Sequence, residues 1–429
     1  MRTGNSRIRG WSLRPPSWNL ISLLLAAVVT FAGCASNTVR SSQATPTLTP
    51  TTTLPAPTAT VLCPYCFAPL TLSQAWGNPA IRSLPSALPG NRVFVFDNAV
   101  TPDNQWLIGA DEPRDFITNA GNRPSYLSLY NIQNGQLVHL RALLHPQSQV
   151  LAASADDTWV VWSEGDDQPN FFDWTLFAYN RQTGQVQQLA QAARAGGQPV
   201  PGGYPIPVVD AGHVIWGEAL GPVGPSTLDN AVVRMEDLAT GQVTTLATRA
   251  GIPNLAWPWA LWGQFTSTAG TDGTGAIVIT NLSTGQTEKL AQQPASISIA
   301  GTSLAWDDIT STLQTGSSTT VYLLEDFTKG TNAYVVLTTG FDQQYATLND
   351  RLVGWSQSGV TQVYDRAEHR LVSLPVTNGE SDSWVGYHTL VWPEPESKAQ
   401  QDYDTQHNLI PAPTWNIIDT STLPVQTGP

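Results

Sequence analysis

A short apolar strand that ends in tryptophan recurs along this chain, and it constrains the fold more than any other feature. One copy ends in Gly109 instead, and the other six end in Trp162, Trp216, Trp262, Trp306, Trp355 and Trp392. Successive copies lie 37 to 54 residues apart. A period of roughly 40 to 50 residues built from short strands is typical of repeat proteins made of small β-sheets. The sequence therefore predicts an all-β repeat domain.

Each copy has the same order of strands and turns. A tight-turn sequence such as Asp156-Asp157 comes before the Trp strand, and a long polar loop and a second strand follow it. A second turn then comes before the last strand, as in Thr183-Gly184-Gln185 and Thr284-Gly285-Gln286. Asn, Asp and Gly suit hairpin turns because they tolerate unusual backbone angles or bond to their own backbone. Each unit is predicted to hold four antiparallel strands.

This order resembles the blades of TolB-type and WD40-like β-propellers over residues 93–425, and Thr101-Pro102-Asp103 is similar to a turn typical of TolB. The resemblance implies a seven-bladed β-propeller of four-stranded antiparallel blades at residues 91–425, with six or eight blades as alternatives. The Trp rings are predicted to fill the wedges between blades. Whether residues 93–97 close the ring by joining the last blade stays open. A β-propeller fold by itself does not indicate which function the protein has.

The N-terminus predicts export. Basic residues precede the apolar run 20–32, which has the length of a signal-peptide core and is short for a membrane span. The run ends in Phe31-Ala32-Gly33-Cys34, which resembles a bacterial lipobox with Phe31 in place of the usual Leu. We predict a lipoprotein signal peptide at 1–33 and a lipid on Cys34 that anchors the protein on the extracytoplasmic side, in the cell envelope or at the surface. An uncleaved anchor or a plain signal peptide is the alternative.

Two segments are predicted between this cysteine and the propeller. Residues 34–62 are a predicted disordered tether, because Ser, Thr and Pro supply 14 of the 20 residues at 41–60. Residues 63–90 are a predicted connector that contains Cys63-Pro64-Tyr65-Cys66. The motif matches the glutaredoxin spacing without the fold that supports it there, so a disulfide between Cys63 and Cys66 is favoured and a redox role is the alternative.

The charge of the chain limits its partners. The formal net charge is −13, and only 12% of residues are charged. An acidic surface repels phosphate groups, which argues against nucleic acid and against direct membrane contact by the folded domain. We expect a monomer that contacts the membrane through the lipid on Cys34 only.

The position two residues after the end of each Trp strand is an acid or an amide in every copy. It is occupied by Asp111, Glu164, Glu218, Gln264, Asp308, Gln357 and Glu394. Because the position is equivalent in each blade, we predict a ring on the face that carries the long loops, around the channel mouth. Converging carboxylates could bind a metal ion, a cationic peptide or sugar hydroxyl groups. The simpler alternative is that each acid caps its own loop.

A second acidic stretch lies in the last long loop, at 394–413. Asp402, Asp404, Gln406 and Asn408 alternate as calcium ligands do, but His407 and Pro413 replace the Gly and Glu of an EF-hand. A plain surface loop is favoured. Calcium is an open alternative, and no other cofactor is evident.

The sequence lacks the usual catalytic signatures. It has no Gly-x-Ser-x-Gly, no His-Glu-x-x-His and no phosphate-binding glycine loop. The sequence therefore favours a non-catalytic binding or scaffold module for a protein or an envelope polysaccharide at the long-loop face. The alternative is a propeller-type glycan hydrolase or lyase that uses carboxylates of the same face.

Overall fold

The computed structural model describes residues 52–53, 58–60 and 69–425, with gaps at 117–122, 167–170, 203, 222–229, 269–270, 291–293, 313–315, 330–332, 341–345, 358–359 and 376–382. All of them belong to one unit, residues 48–429. The predicted signal peptide, Cys34, Cys63 and Cys66 lie outside the described residues. Within the described part of the chain, no helix is long and apolar enough to cross a bilayer.

The described chain begins with short elements that precede the repeat. They are β1 (Thr52–Thr53), β2 (Thr58–Thr60), β3 (Leu70–Thr71), helix α1 (Leu72–Trp76) and β4 (Arg82–Pro85). Helix α1 begins at a capping box, in which the Thr71 hydroxyl accepts the Gln74 N–H and the Gln74 side chain accepts the Thr71 N–H.

The first three blades follow in chain order. The first holds β5 (Ala87–Leu88), β6 (Arg92–Val100), β7 (Trp106–Pro113), β8 (Tyr126–Asn131) and β9 (Leu137–Ala142). The second holds β10 (Gln149–Ala155), β11 (Trp159–Gly165), β12 (Trp174–Asn180) and β13 (Val186–Gln191). A small hairpin, β14 (Arg194–Ala195) and β15 (Gln198–Pro199), leads to the third, with β16 (Val208–Asp210), β17 (His213–Ala219), β18 (Ala231–Asp237) and β19 (Gln242–Thr248).

The remaining four blades repeat this pattern. The fourth holds β20 (Ala250–Ala256), β21 (Trp259–Thr268), β22 (Thr271–Asn281) and β23 (Thr287–Leu290), and the fifth holds β24 (Pro294–Ala300), β25 (Ser303–Thr312), β26 (Gly316–Leu324) and β27 (Ala333–Gly340). The sixth holds β28 (Thr347–Leu348), β29 (Leu352–Gln357), β30 (Val360–Asp365) and β31 (Arg370–Ser373). The seventh holds β32 (Trp384–Gly386), β33 (Thr389–Glu394) and β34 (Thr414–Asp419), with helix α2 (Lys398–His407) between β33 and β34.

The blades form a closed circle. In each blade, the strand just before the strand of the repeated Trp position contacts its counterpart in the next blade, from β6 through β10, β16, β20, β24, β28 and β32 and back to β6. Neighbouring turns are also bonded: the Asp156 carboxylate accepts the Gly212 N–H at 2.7 Å, and the Asp210 carboxylate accepts the Trp257 N–H at 2.7 Å. The predicted all-β, seven-bladed propeller is confirmed.

The N-terminal strand β4 completes the seventh blade. It pairs antiparallel with β34, placing Ser83 opposite Asn416 and Leu84 opposite Trp415. The chain therefore closes its ring with residues 82–85. Residues 93–97, the segment left open by the sequence, lie instead in β6 of the first blade. We call the junction of the seventh and first blades the closing seam.

The segments predicted as tether and connector add further strands to the blades. In parallel pairings, β1 joins the outer strand of the fourth blade, β2 that of the fifth, and β3 that of the sixth. Two short strands, 52–53 and 58–60, thus lie within the predicted tether 34–62, whose disorder stays a prediction, and the predicted connector 63–90 contributes β3, β4 and β5 to the sheets. The sequence alone did not predict β1 and β2, because a Thr-rich segment becomes a strand only when an exposed edge pairs with it.

The six tryptophans are buried between blades, as predicted. Each is at most 2% exposed, and each packs with side chains of the preceding blade. Trp162 packs with Ile108 and Leu127 of the first blade, and Trp392 with Leu352 and Val363 of the sixth. A large flat ring fills the wedge that opens between two twisted sheets.

Candidate functional site

A groove of about 510 Å³ runs along the first blade at the closing seam, and we call it the seam groove. Leu88, Pro89, Pro124 and Leu137 form apolar parts of its wall, while Arg92, Asp111, Arg123, Tyr126 and His139 supply polar groups. Leu88 and Leu137 also pack against the buried apolar cluster of the seam. Grooves of this size hold small ligands or segments of larger ones.

The Asp111 carboxylate lies at the centre of the polar groups. One oxygen accepts the Arg92 Nε–H at 2.6 Å, and the other bonds to His139 Nε2 at 2.8 Å. The Arg92 Nη2 group also donates to the carbonyl oxygens of Asp111 at 2.8 Å and Pro124 at 3.0 Å. Because Asp111 is buried, its two bonds fix the planes of the guanidinium and the imidazole.

The His139 ring presents one nitrogen to the groove. It stacks on Tyr126 with the ring centroids 4.2 Å apart and the planes 3° from parallel, and the Arg92 guanidinium lies 5.5 Å from the Tyr126 centroid. The His139 side chain is 43% exposed. Because Nε2 donates its N–H to the carboxylate, Nδ1 is the ring nitrogen left to bond to a ligand. Among the described residues, Nδ1 has no hydrogen-bond partner.

Strand geometry brings these groups together. Residues Arg92, Asp111, Tyr126 and His139 come from the four successive strands β6 to β9. Asp111 lies directly opposite Tyr126, and a register shift at Leu127/Ser128 places His139 opposite Ser128. Side chains alternate between the two faces of a sheet, so one residue from each strand reaches the same face. The seam groove is therefore supported by rigid strands.

Two other predicted ring acids bond to the tryptophan of their own strand. The Trp162 indole N–H donates to Glu164 at 2.8 Å, and the Trp216 indole N–H donates to Glu218 at 3.3 Å. Glu164 also accepts the Leu144 N–H at 2.9 Å, and its burial raises the pKa of its carboxyl group. Arg234 forms an ion pair with Glu218.

The remaining predicted ring residues have separate environments. The Gln264 amide donates to the carbonyl oxygens of Thr248 and Arg249, at 3.0 and 2.8 Å. Glu394 is exposed and accepts the Asn416 amide at 3.3 Å. The Asp308 and Gln357 side chains lie outside the described part of the structure. Each of the five described ring residues thus bonds to groups near its own strand, and their convergence on a shared ligand stays a prediction.

Metal binding also stays a prediction. In the described ranges, no three His, Cys, Asp or Glu side chains come together in a group that could hold a metal ion. The calcium-like alternation at 402–408 falls on helix α2 and its C-terminal end rather than on the predicted surface loop. There Asp404 is buried and forms an ion pair with Arg114.

Several buried acids escaped the sequence analysis. Burial raises the pKa of Glu112 to about 7 and holds the pKa of Asp97 well above its usual range. Burial, with Asp404 beside it, also raises the pKa of Glu396 to about 7. One sequence signal pointed to this region: the first copy alone lacks the tryptophan, at Gly109. Arg92 and His139, the partners of Asp111, do not belong to the repeated sequence pattern, so the sequence analysis did not identify them.

Comparison with known proteins finds distant structural likeness. No protein-family model and no curated protein matches the sequence. Among solved structures, the oligogalacturonate lyase of Vibrio parahaemolyticus is 12% identical, covering 80% of this chain and 97% of its own, with a TM-score of 0.48. TolB of Acinetobacter baumannii is 11% identical over 64% of each chain, with a TM-score of 0.41.

A third solved structure is the β-propeller domain of the Trilobed protease from Pyrococcus furiosus. It is 8% identical, covering 70% of this chain and 91% of its own, with a TM-score of 0.44. Likenesses this weak carry no conclusion about the chemistry of this chain. Its own sheets establish that the chain is a seven-bladed β-propeller.

Proposed function

We propose that this protein is a non-catalytic binding module that holds a polysaccharide of the cell envelope in the seam groove. The observation that carries the proposal is the Asp111 carboxylate, which fixes Arg92 and His139 in an open groove. Rigid donors and acceptors lose little entropy when a ligand binds, so modest contacts suffice for affinity.

The groups in the groove suit a sugar ring. The His139 Nδ1 atom and the Arg92 and Arg123 guanidiniums can accept from and donate to hydroxyl groups. The apolar Leu88, Pro89 and Pro124 offer surface to the carbon-bound hydrogens of the ring. This mixture of few placed polar groups and apolar wall is typical of small-molecule sites.

The proposed location is outside the cytoplasm. The basic residues, the apolar run 20–32 and Cys34 support export and lipid anchoring. An envelope polysaccharide would then be within reach of the propeller.

A glycan array followed by titration of each hit tests the proposal on the full-length protein. We expect His139→Ala to weaken binding at least about tenfold, because it removes the exposed acceptor and the partner of Asp111. His213→Ala is the matched control, since His213 also stacks on an aromatic ring, that of Trp257, at 3.9 Å. Equal affinity of wild type and His139→Ala for every hit would rule out the seam groove.

One observation favours a second candidate, a glycan hydrolase or lyase. A histidine bonded to a buried carboxylate is the arrangement of a general base, and His139–Asp111 has this form. Incubation of each bound glycan with the protein, followed by product analysis, separates the candidates. Product formation that His139→Ala abolishes would replace the non-catalytic proposal, whereas an intact glycan supports it.

A further inference from the structure

Helix α2 is fastened to the first blade by one arginine and two acids. The Arg114 guanidinium forms an ion pair with Asp404 of the helix and contacts a Glu396 oxygen at 3.4 Å. Its Nε–H donates to the Ile410 carbonyl at 3.0 Å, and the Arg114 carbonyl accepts the Ile410 N–H at 2.7 Å. Two segments far apart in sequence therefore meet at this point.

The two carboxyl groups are also neighbours, because the same Arg114 Nη2 group contacts an oxygen of each. Burial and the nearby Asp404 both oppose ionisation of Glu396 and raise its pKa. Gln400 donates to the second Asp404 oxygen at 2.7 Å. Within the described residues, the second Glu396 oxygen is buried without a partner. One guanidinium thus faces two neighbouring acids, and the buried, unpaired Glu396 oxygen disfavours a negative charge on that carboxyl group.

We infer that Glu396 and Asp404 form a proton-dependent clasp, which holds helix α2 against the first blade in mildly acidic solution and loosens it in alkaline solution. The charged groups that face Glu396 are Asp404 of the helix and Arg114 of the first blade. When Glu396 loses its proton, two adjacent carboxylates have one cation between them and repel each other.

The direction of the effect follows from the pKa of Glu396. Its folded pKa of about 7 lies above the ordinary 4.5, because burial and Asp404 oppose ionisation. The folded protein therefore holds the proton more tightly than the unfolded chain does. Stability from this group is complete below the ordinary pKa and is lost as the pH rises toward about 7.

Loosening of the clasp would also affect the seam groove, because the two are joined by direct contacts. The Arg114 N–H donates to the Asn91 carbonyl at 3.0 Å, next to Arg92 of the groove. Ile410 and Ala412 pack with Val93 and Phe116 in a small apolar cluster that joins the helix segment to the first blade. The clasp rests on these contacts and does not depend on the ligand proposed for the groove.

Amide hydrogen exchange of the full-length protein tests the clasp, with rates corrected for the chemical effect of pH. We expect protection of residues 398–413 to fall at least about tenfold between about pH 6 and about pH 8.5. Glu396→Gln should flatten this change, because the amide is neutral and does not titrate. Asp402→Asn is the matched control: Asp402 is on the same helix, half-exposed and paired with Lys398, so this variant should behave as wild type.

Two further variants distinguish the clasp from other causes of a pH-dependent exchange rate. Asp404→Asn should flatten the pH dependence as well, even where its baseline protection is lower. Glu112 titrates in the same range, so Glu112→Gln is measured in parallel. Unchanged protection in the wild type, or a pH dependence that Glu112→Gln removes and Glu396→Gln keeps, would overturn the clasp.

Discussion

The seams inside the repeat and the closing seam solve one packing problem in different ways. Inside the repeat, each wedge between blades holds a fully or almost fully buried tryptophan, namely Trp162, Trp216, Trp262, Trp306, Trp355 and Trp392. At the closing seam the equivalent residue is Gly109, and Phe94, Phe96 and Tyr130 fill the wedge with help from Trp384 and Trp415. The repeated seam depends on one residue, whereas the closing seam depends on several.

The reason lies in how the closing seam is assembled. Its blades come from the two ends of the folded chain, and β4 reaches back to complete the seventh blade. An indole at residue 109 would meet the Val95 carbonyl and the Phe94 ring, since even a Cβ there would lie 2.0 Å from the Val95 oxygen. The seam without the repeated residue is also the one that borders the groove and the clasp. The candidate functional groups thus lie where the packing departs from the repeat, at the closing seam.

The largest expected effect comes from the repeated seam. Trp162→Ala should lower the free energy of unfolding by about 3–5 kcal/mol, because it leaves a cavity between two blades and removes the indole N–H from Glu164. Urea denaturation followed by circular dichroism measures the change. Trp257→Ala is the control, since Trp257 is 37% exposed and should cost far less. Similar losses in both variants would contradict the wedge role.

Gly109 allows the matching test at the closing seam. Gly109→Ala should lower the free energy of unfolding by about 1–3 kcal/mol, because the backbone of Val95 must move to admit the new carbon. In the repeated seam, Gly217 is the matched control: a Cβ there first meets Pro253 at 3.4 Å, an ordinary contact. The same denaturation experiment compares them. A neutral Gly109→Ala would mean that the Val95 backbone yields easily, and that contact with it is not what keeps the repeated residue out of the closing seam.

The sequence predicted what is local and repeated. The Trp strands and their turns were predictable because the pattern of a strand or a hairpin turn depends on residues adjacent in sequence. An example is β11 (Trp159–Gly165) with its Asp156-Asp157 turn. The closing strand was not, because Arg-Ser-Leu-Pro at 82–85 is an unremarkable tetrapeptide. Its pairing depends on Asn416 and Trp415, more than three hundred residues away.

The candidate site was predictable only in part. The repeat position identified Asp111, but Arg92, Tyr126 and His139 come from three other strands whose register depends on an irregularity at Leu127/Ser128. Helix α2 was predicted as a loop because Lys-Ala-Gln-Gln-Asp-Tyr-Asp-Thr-Gln-His has no apolar face. Its order comes from the Ser397 cap and from Arg114, and a distant ion pair leaves no periodic trace in the sequence.

The smallest expected effect concerns the strand that closes the ring. Ser83 donates to Asn416 at 2.7 Å across the β4–β34 pair, and Ser83→Ala should cost only about 0.5–1 kcal/mol. The amides of 82–85 should nevertheless exchange faster than in the wild type, since no short turn ties β4 to β34 and local opening meets little resistance. Ser128→Ala is the control, because the Ser128 hydroxyl donates within β8, inside a blade joined by its own turns. Unchanged exchange at 82–85 would mean that the closing strand is held as firmly as a strand tied by a hairpin, and the distinction between the two kinds of seam would then rest on their side chains alone.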